Sequence, residues 1–475
     1  MLRRNSVSTF ALSVLGLFVA AGCSDDTVVG PGPGGQTGVG TLAGNITTNR
    51  TLHKDTTYTL SGYVKVQNGA TLTIQAGTRI LGDTNVAGSS LWILRGAKID
   101  AQGTAAAPIV FTSARSVGNR KPGDWGGLII IGNGITNRQS GAPIFTEGPQ
   151  GASEAYTGGN DNADNSGTLR YVRIEFAGYD LTGTGQELNS LSSYVVGSGT
   201  TYEYIQSFGG LDDAFEFWGG AVDGRYLVSY ESGDDHYDTS EGYRGRLQYV
   251  IALQTQRIQP RPGTGGLSSD PEGLEMDGCP NGEAGCALGN DTQPYAMPVV
   301  ANFTLVGVPA TVAASSSGDI GMVIRRGTGG YLTNGIVARW QRQGMTVRDA
   351  RTNDHLVNAD SLNVANVLFV ENAVDYDGAN NFGQGLKFAT DNHVVSAATA
   401  ASLFTSLTTP ALDWTPPAGS AAAAGAGVVQ IPAAYTGNFF GGNLSNTTYF
   451  GAAQPGGAKW WAGWTAYHVC SASGC

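Results

Sequence analysis

The chain has 475 residues, a net charge of −11 and 71 glycines, about twice the usual glycine share. Such an acidic chain excludes nucleic acid and anionic lipid as partners held by bulk charge, while cations, cationic surfaces and neutral glycans stay open. The glycines are spread along the sequence rather than gathered into a tract, which excludes a low-complexity disordered protein and points to many tight turns.

Arg3 and Arg4 form a basic start, Phe10 to Ala21 is apolar with only Ser13 polar, and Ala20-Ala21-Gly22-Cys23 closes the run with small residues and a cysteine. That is the layout of a secretory signal peptide. A cysteine at the cleavage point resembles the lipobox of bacterial lipoproteins, with Ala20 where leucine is usual. The resemblance implies that Cys23 is acylated and becomes the new N-terminus; the bland alternative is an ordinary signal peptide cut near Ala21. The apolar run is too short to span a bilayer, so a lipid is the expected anchor and the cell envelope, at the outer membrane, the expected location. The segment 23–40, rich in Gly and Pro, reads as a flexible tether.

From Thr41 short runs rich in strand-forming residues alternate with Gly, Asn and Asp turns, as in YTLSGYVKV, SLWILRGAKIDAQG and WGGLIIIGN. A self-similar unit then recurs at Tyr171, Tyr202, Arg225, Leu247, Ala301, Thr333 and Ala365, with starts about 22 to 32 residues apart and one longer gap. One strand core per unit cannot bury its apolar face alone, so the units must stack. This spacing favours an all-β, right-handed parallel β-helix over a sandwich, barrel or propeller. The expected domain runs from 41 to 394 with a loop insertion at 256–298. Residues 395–475, first Ala-rich and then aromatic, are expected to cap it, after a signal peptide over 1–22.

Four cysteines remain beside Cys23. Three pairings are open in principle, and local pairing of Cys279 with Cys286 and of Cys470 with Cys475 is the simplest in an oxidising compartment.

The segments YVKVQNGATLTIQAGTRILGD, GDWGGLIIIGN, LRYVRIEFAG, GLDDAFEFWGG, DDHYDTSEGYRGRLQYV and a closing AGWTAY resemble a family of secreted and lipid-anchored β-helix proteins of Gram-negative bacteria. The resemblance implies the fold and the envelope location. It brings no reaction and no catalytic residues.

The chemistry is concentrated in two acidic stretches, Asp212, Asp213 and Glu216, then Asp234, Asp235, Asp238 and Glu241. The Asp-Asp pairs are one coil apart, and equivalent residues of successive coils stack about 4.8 Å apart. Carboxylates that close raise each other's pKa unless a cation compensates. Ca²⁺ suits such an oxygen cluster; pairing with Arg225, Arg244 and Arg246, or plain solvation, are the alternatives. A third acidic group, Asp270, Glu272, Glu275 and Asp277, lies in the insertion and could close over the first two.

Trp218 and the three arginines are the candidate ligand contacts, because aromatics stack on sugar rings. For each of the tryptophans at 125, 340, 460, 461 and 464 a core or cap role is the stronger reading. Asp-Asp followed by an aromatic resembles part of the polygalacturonase pattern, but the Gly-His-Gly and Arg-x-Lys of that family are missing, and no Gly-x-Ser-x-Gly supports a serine nucleophile. The expectation is an outer-membrane lipoprotein that presents a β-helix surface to polysaccharide or envelope proteins and is stabilised by Ca²⁺. A polysaccharide lyase or glycoside hydrolase, and a purely structural surface protein, are the alternatives.

Overall fold

The computed structural model describes residues 38–149, 151–180, 186–359, 361–376, 394–409, 411–423, 433–467 and 474–475. Successive strands pair in parallel with the strand one coil later, which is the solenoid expected from the repeats. A front sheet carries Gly127–Ile131, Leu191–Tyr194, Phe215–Trp218, Asp238–Ser240, Glu272–Asp277, Ile320–Arg325 and Gln343–Val347. A back sheet carries Gly167–Glu175, Thr201–Phe208, Asp223–Tyr230, Arg246–Leu253, Val299–Val306, Gly330–Ala338 and Leu362–Val370. Leu, Ile, Val and Phe side chains from both sheets fill one continuous core between them.

Each back strand is bent at one residue with positive φ: Tyr171, Tyr204, Tyr226, Tyr249, Asn302, Asn334 and Asn366. A left-handed tyrosine is strained, and stacking offsets the strain. Tyr171, Tyr204, Tyr226 and Tyr249 stack in sequence with ring centroids 4.4, 4.5 and 5.0 Å apart. The asparagines, which tolerate this conformation better, continue the row with a side-chain ladder, Asn366 Nδ2 donating to Asn334 Oδ1 at 3.2 Å. Toward the N-terminus the two arms of the bend become separate strands: Lys98–Gln102 pairs with the first half of Gly167–Glu175, and Ile109–Ser113 with the second.

Two expectations change in detail. Residues 256–298 are not one loop. Glu272–Asp277 is a front-sheet strand between Asp238–Ser240 and Ile320–Arg325, flanked by two long loops. Leu274 and Met276 face the core while Glu275 and Asp277 face Arg325, an alternation of four residues, at the short end of what marks a strand in sequence. The C-terminal segment adds Val394–Ser396 to the last coil and then runs along the flank of the back sheet rather than closing its end. Trp464 meets Tyr171 and Tyr204 edge-on, and Trp460 meets Tyr226. Gln206 and Gln248 each exchange two hydrogen bonds with the backbone of this strap, at Ala466 and Ser445. The strap covers outward apolar residues such as Phe176, Phe208, Ile251 and Val306 that would otherwise face water.

The turns that lead into the front sheet are tightly stacked. A Cβ on Gly233 would lie 1.7 Å from the Leu211 carbonyl oxygen of the preceding coil. Gly233→Ala is therefore expected to force the coils apart and to lower the unfolding free energy by on the order of 3 kcal/mol. Denaturant unfolding checks this, and an unchanged midpoint would show that the turn has room.

Candidate functional site: a carboxylate array beside a groove

In the segment AFEFW, Phe215 and Phe217 point into the core while Glu216 and Trp218 point out, following the alternation of a strand. The same register carries outward rows across the front sheet. Ser192, Glu216, Asp238 and Glu275 form one row, and Tyr194, Trp218 and Ser240 form the next.

The turns before these strands add a second device. Asn189 Oδ1 accepts from the Asp213 amide at 3.1 Å, Asp213 Oδ1 from the Asp235 amide at 2.8 Å, and Asp235 Oδ1 from the Glu272 amide at 2.6 Å. Each side chain thus holds the backbone of the next coil. This brings together the two Asp-Asp pairs and the insertion, as their spacing suggests. Three sets of carboxylates have ligand atoms within 4.8 Å of one another: Asp212, Asp213 and Asp234; Asp213, Asp235 and Asp238; and Asp234, Asp235 and Glu272.

Burial, and then neighbouring carboxylates, push Asp212, Asp213, Asp235 and Asp238 well above the ordinary carboxylate range, and Glu216 likewise. Burial does the same to Asp234 and Glu272. Asp234 Oδ1, Asp238 Oδ1 and both carboxylate oxygens of Glu272 have no hydrogen-bond donor, although Glu272 is only 1 % exposed. Buried acceptors without donors are rare in folded proteins, and a divalent cation with six to eight oxygen ligands would satisfy them. The residues therefore fit a metal ion.

Arginines approach the array from one side. Arg325 pairs with Glu275 and Asp277, Arg326 with Asp277, and Arg348 with Asp270 and, at 3.9 Å, with Glu272 of the array. Asp277 is pushed up to about 7 by burial and by Glu275, against the pull of Arg325 and Arg326.

The arginines singled out in the sequence are elsewhere. Arg225 pairs with Glu203 at 2.7 Å and lies over the Phe440 ring. Arg246 pairs with Asp223 at 2.9 Å and lies over Phe439. Arg244 is exposed and donates to the Tyr295 carbonyl. Arg225 and Arg246 belong to back strands and Arg244 to the turn before one, so the fold sets all three away from the front-sheet carboxylates. Glu241 also leaves the expected metal set. It accepts from Tyr156 Oη at 2.6 Å and from Arg138 Nη1 at 2.9 Å, which satisfies it without an ion. His236, set between the acidic residues in sequence, faces inward with Nδ1 2.6 Å from Ser229 Oγ, and burial lowers it to about 3.

Trp218, 6 % exposed, belongs to the apolar cluster on the outer side of the front sheet. It stacks on Tyr194 with centroids 3.9 Å apart, and together they line a groove of about 690 Å³ with Glu216, Asp238 and Ser240. One wall is the segment that follows Arg138 and includes Phe145, 57 % exposed. The other is the loop closed by the Cys279–Cys286 disulfide, the first of the two expected pairings. Arg138 ties the walls together, donating from Nε to the Ala284 carbonyl at 2.7 Å and pairing with Glu241 and Glu283. Cys475 is disulfide-bonded, whereas Cys470 and the candidate lipidation site Cys23 lie outside the described residues. Trp125 and Trp340 are core residues; Trp460, Trp461 and Trp464 belong to the strap.

Tyr194, Arg138, Tyr156, Glu147 and Arg326 were not singled out in the sequence. A signal existed for Tyr194 alone, because it precedes Trp218 by one coil in the same row.

A family model described as a pectate-lyase-like beta helix domain matches residues 44–415. The chain belongs to this family. No curated protein and no solved structure matches it. The match spans the solenoid from its first strand to the last coil and stops before the part of the strap at 433–467, and it agrees with the right-handed parallel β-helix read from the repeats. In this member of the pectate-lyase-like family the carboxylate array generates a pH dependence. Folding raises these carboxyl pKa values, so the protonated array is the favoured one. Stability from this source is present below the unfolded value of about 4 and is lost as pH rises toward the folded values. Metal-stripped protein is therefore expected to melt at a lower temperature at pH 8 than at pH 5. A divalent cation at a hundredfold excess over its dissociation constant should restore about 2.7 kcal/mol at pH 8. Calorimetry checks both, and Asp234→Asn with Glu272→Gln should flatten both responses.

Proposed function

We propose that this chain is an envelope-anchored β-helix that binds glycans in the front-sheet groove, with Ca²⁺ seated in the carboxylate array. The observation that carries the reading is the Tyr194–Trp218 stack lining a groove of about 690 Å³ together with acidic and hydroxyl side chains. Aromatic faces stack on the apolar faces of sugar rings, while convergent polar groups hold the hydroxyls. The pectate-lyase-like family points to carbohydrate as well. Ca²⁺ is the hard divalent cation best suited to an all-oxygen array in an exported protein.

Binding is favoured over cleavage because both arginines that line the groove are engaged, Arg138 with Glu241 and Glu283, and Arg326 with Asp277. Neither is available as the base of a lyase. Glu216 and Asp238, side by side on neighbouring strands, are the pair that a hydrolytic enzyme would use, so cleavage is scored in the same experiment.

A glycan array read with the whole exported protein, with and without Ca²⁺, tests the proposal. Trp218→Ala is expected to weaken binding at least tenfold and, because the ring is buried and stacked, to lower the melting temperature as well, so binding is read well below that temperature. Binding that is indifferent to Trp218→Ala would place the ligand elsewhere, and new chain ends in the bound glycan would make the protein an enzyme. Anchoring is tested separately. Among the described residues no helix is long and apolar enough to cross a membrane, and the proposed anchor is a lipid on Cys23. Cys23→Ala is expected to move the protein from the membrane to the soluble fraction, and retention on the membrane would overturn the anchor.

A further inference from the structure

We infer that the groove takes the end of a glycan chain, or a short saccharide, and not the interior of a polymer, an inference that rests on the glycan-binding reading and names the class of ligand. The front sheet is open over only part of its length. In the coils before Tyr194 its outward residues are Trp92, Ile129 and Ile131, with Trp92 beside Ile129, Ile129 beside Ser192 and Ile131 beside Tyr194. All three are fully buried, because a hairpin with arms 144–147 and 152–156 lies over them. The Thr146 amide donates to the Glu154 carbonyl at 2.9 Å and the Tyr156 amide to the Ile144 carbonyl at 3.1 Å. Ile144, Ala152 and Tyr156 share one apolar cluster with Trp92, Ile129 and Ile131.

This hairpin abuts the aromatic stack. The Tyr156 and Tyr194 rings have centroids 5.0 Å apart, and the Glu147 amide donates to Tyr194 Oη at 3.0 Å. Contacts from behind fix it as a wall. Lys65 Nζ donates to the Ala152 carbonyl at 2.9 Å and pairs with Glu154 at 2.6 Å, and Arg95 Nη2 donates to the Thr157 carbonyl at 3.2 Å. From this wall the groove lining runs through Trp218 and Ser240 to Arg326, four coil steps or about 19 Å. Past Glu275 its outward row continues as Val323 and Thr346, both buried, so the sheet is covered again. The enclosed volume of about 690 Å³ suits a ligand of a few sugar rings. Trp218 is the register neighbour of Tyr194, about 4.8 Å away, so a ring held at Trp218 has the hairpin beside it. The chain can extend from there only toward Ser240. A polymer bound by its interior must leave the groove at both ends, and at the Tyr194 end its path would run through Ile144 and Tyr156. A terminal unit stops against them instead.

Titration calorimetry of the whole exported protein in Ca²⁺ tests the inference with β-1,4-xylose, β-1,3-glucose and α-1,4-galacturonate chains, each as short oligomers and as a shorter and a longer soluble polymer fraction whose chains are counted by their reducing ends. Every series that binds is expected to saturate at one protein per chain in the shorter and the longer fraction alike, and Trp218→Ala to weaken that binding. A number bound per chain that grows with chain length overturns the inference and leaves the groove a glycan site. If none of the three series binds, the inference falls; if the glycan array is silent as well, the reading beneath it falls too. Binding that Trp218→Ala leaves untouched overturns both.

Discussion

The stacking of one coil on the next is the constraint on which everything else depends. At the site the stacking is made by side chains as well as by backbone. Asn189, Asp213 and Asp235 each accept the amide of the following coil. A carboxylate that holds a neighbouring turn in this way must be buried, and once buried it lies close to the carboxylates above and below. The device that closes the coils therefore creates an electrostatic difficulty that a bound cation would resolve. Structure and chemistry meet in the same atoms, and the tightness at Gly233 is the steric side of the same arrangement.

The opposite face solves the stacking problem without charge. From Gly167–Glu175 onward its bends are left-handed, first as tyrosines whose rings stack and then as asparagines whose amides form a ladder. Stacked rings leave a wide apolar flank, and the strap at 433–467 covers part of it with Trp460 and Trp464. The arginines of this face, Arg225 and Arg246, are held by Glu203 and Asp223 and by the strap's Phe440 and Phe439. The molecule thus has an apolar flank partly covered by the strap and an acidic front beside the groove.

The groove is a product of loops that leave the solenoid at different coils and meet over its front. Arg138 reaches across to Ala284, Glu241 and Glu283, contacts between residues more than a hundred positions apart. A short disulfide loop supplies the far wall. The rigid sheet places the floor residues, while the loops decide how wide the groove is and which arginines are already occupied.

The coil repeat was legible in the sequence because each unit carries its bend residue at the same place: Tyr204, Tyr226, Tyr249, Asn302, Asn334 and Asn366 fall at the second or third position of their units. That periodicity determined the fold, and with it the stacking of Asp212 and Asp213 against Asp234 and Asp235, since residues one coil apart in a solenoid must be neighbours. Trp218 was chosen for its ring alone, and the same periodicity could have led from it to Tyr194. Only the tertiary structure decided the rest. Arg244 and Arg246 lie close to the acidic run in sequence but belong to the other side of the coil. Glu241 is already satisfied by Arg138 and Tyr156. Glu272 enters the array from a short strand set between two long loops, whose pairing with Asp238–Ser240 has no local mark. Contacts within the repeat have a period that can be read from one chain, whereas contacts between loops have none, because their partners are chosen by where the solenoid happens to bring them together.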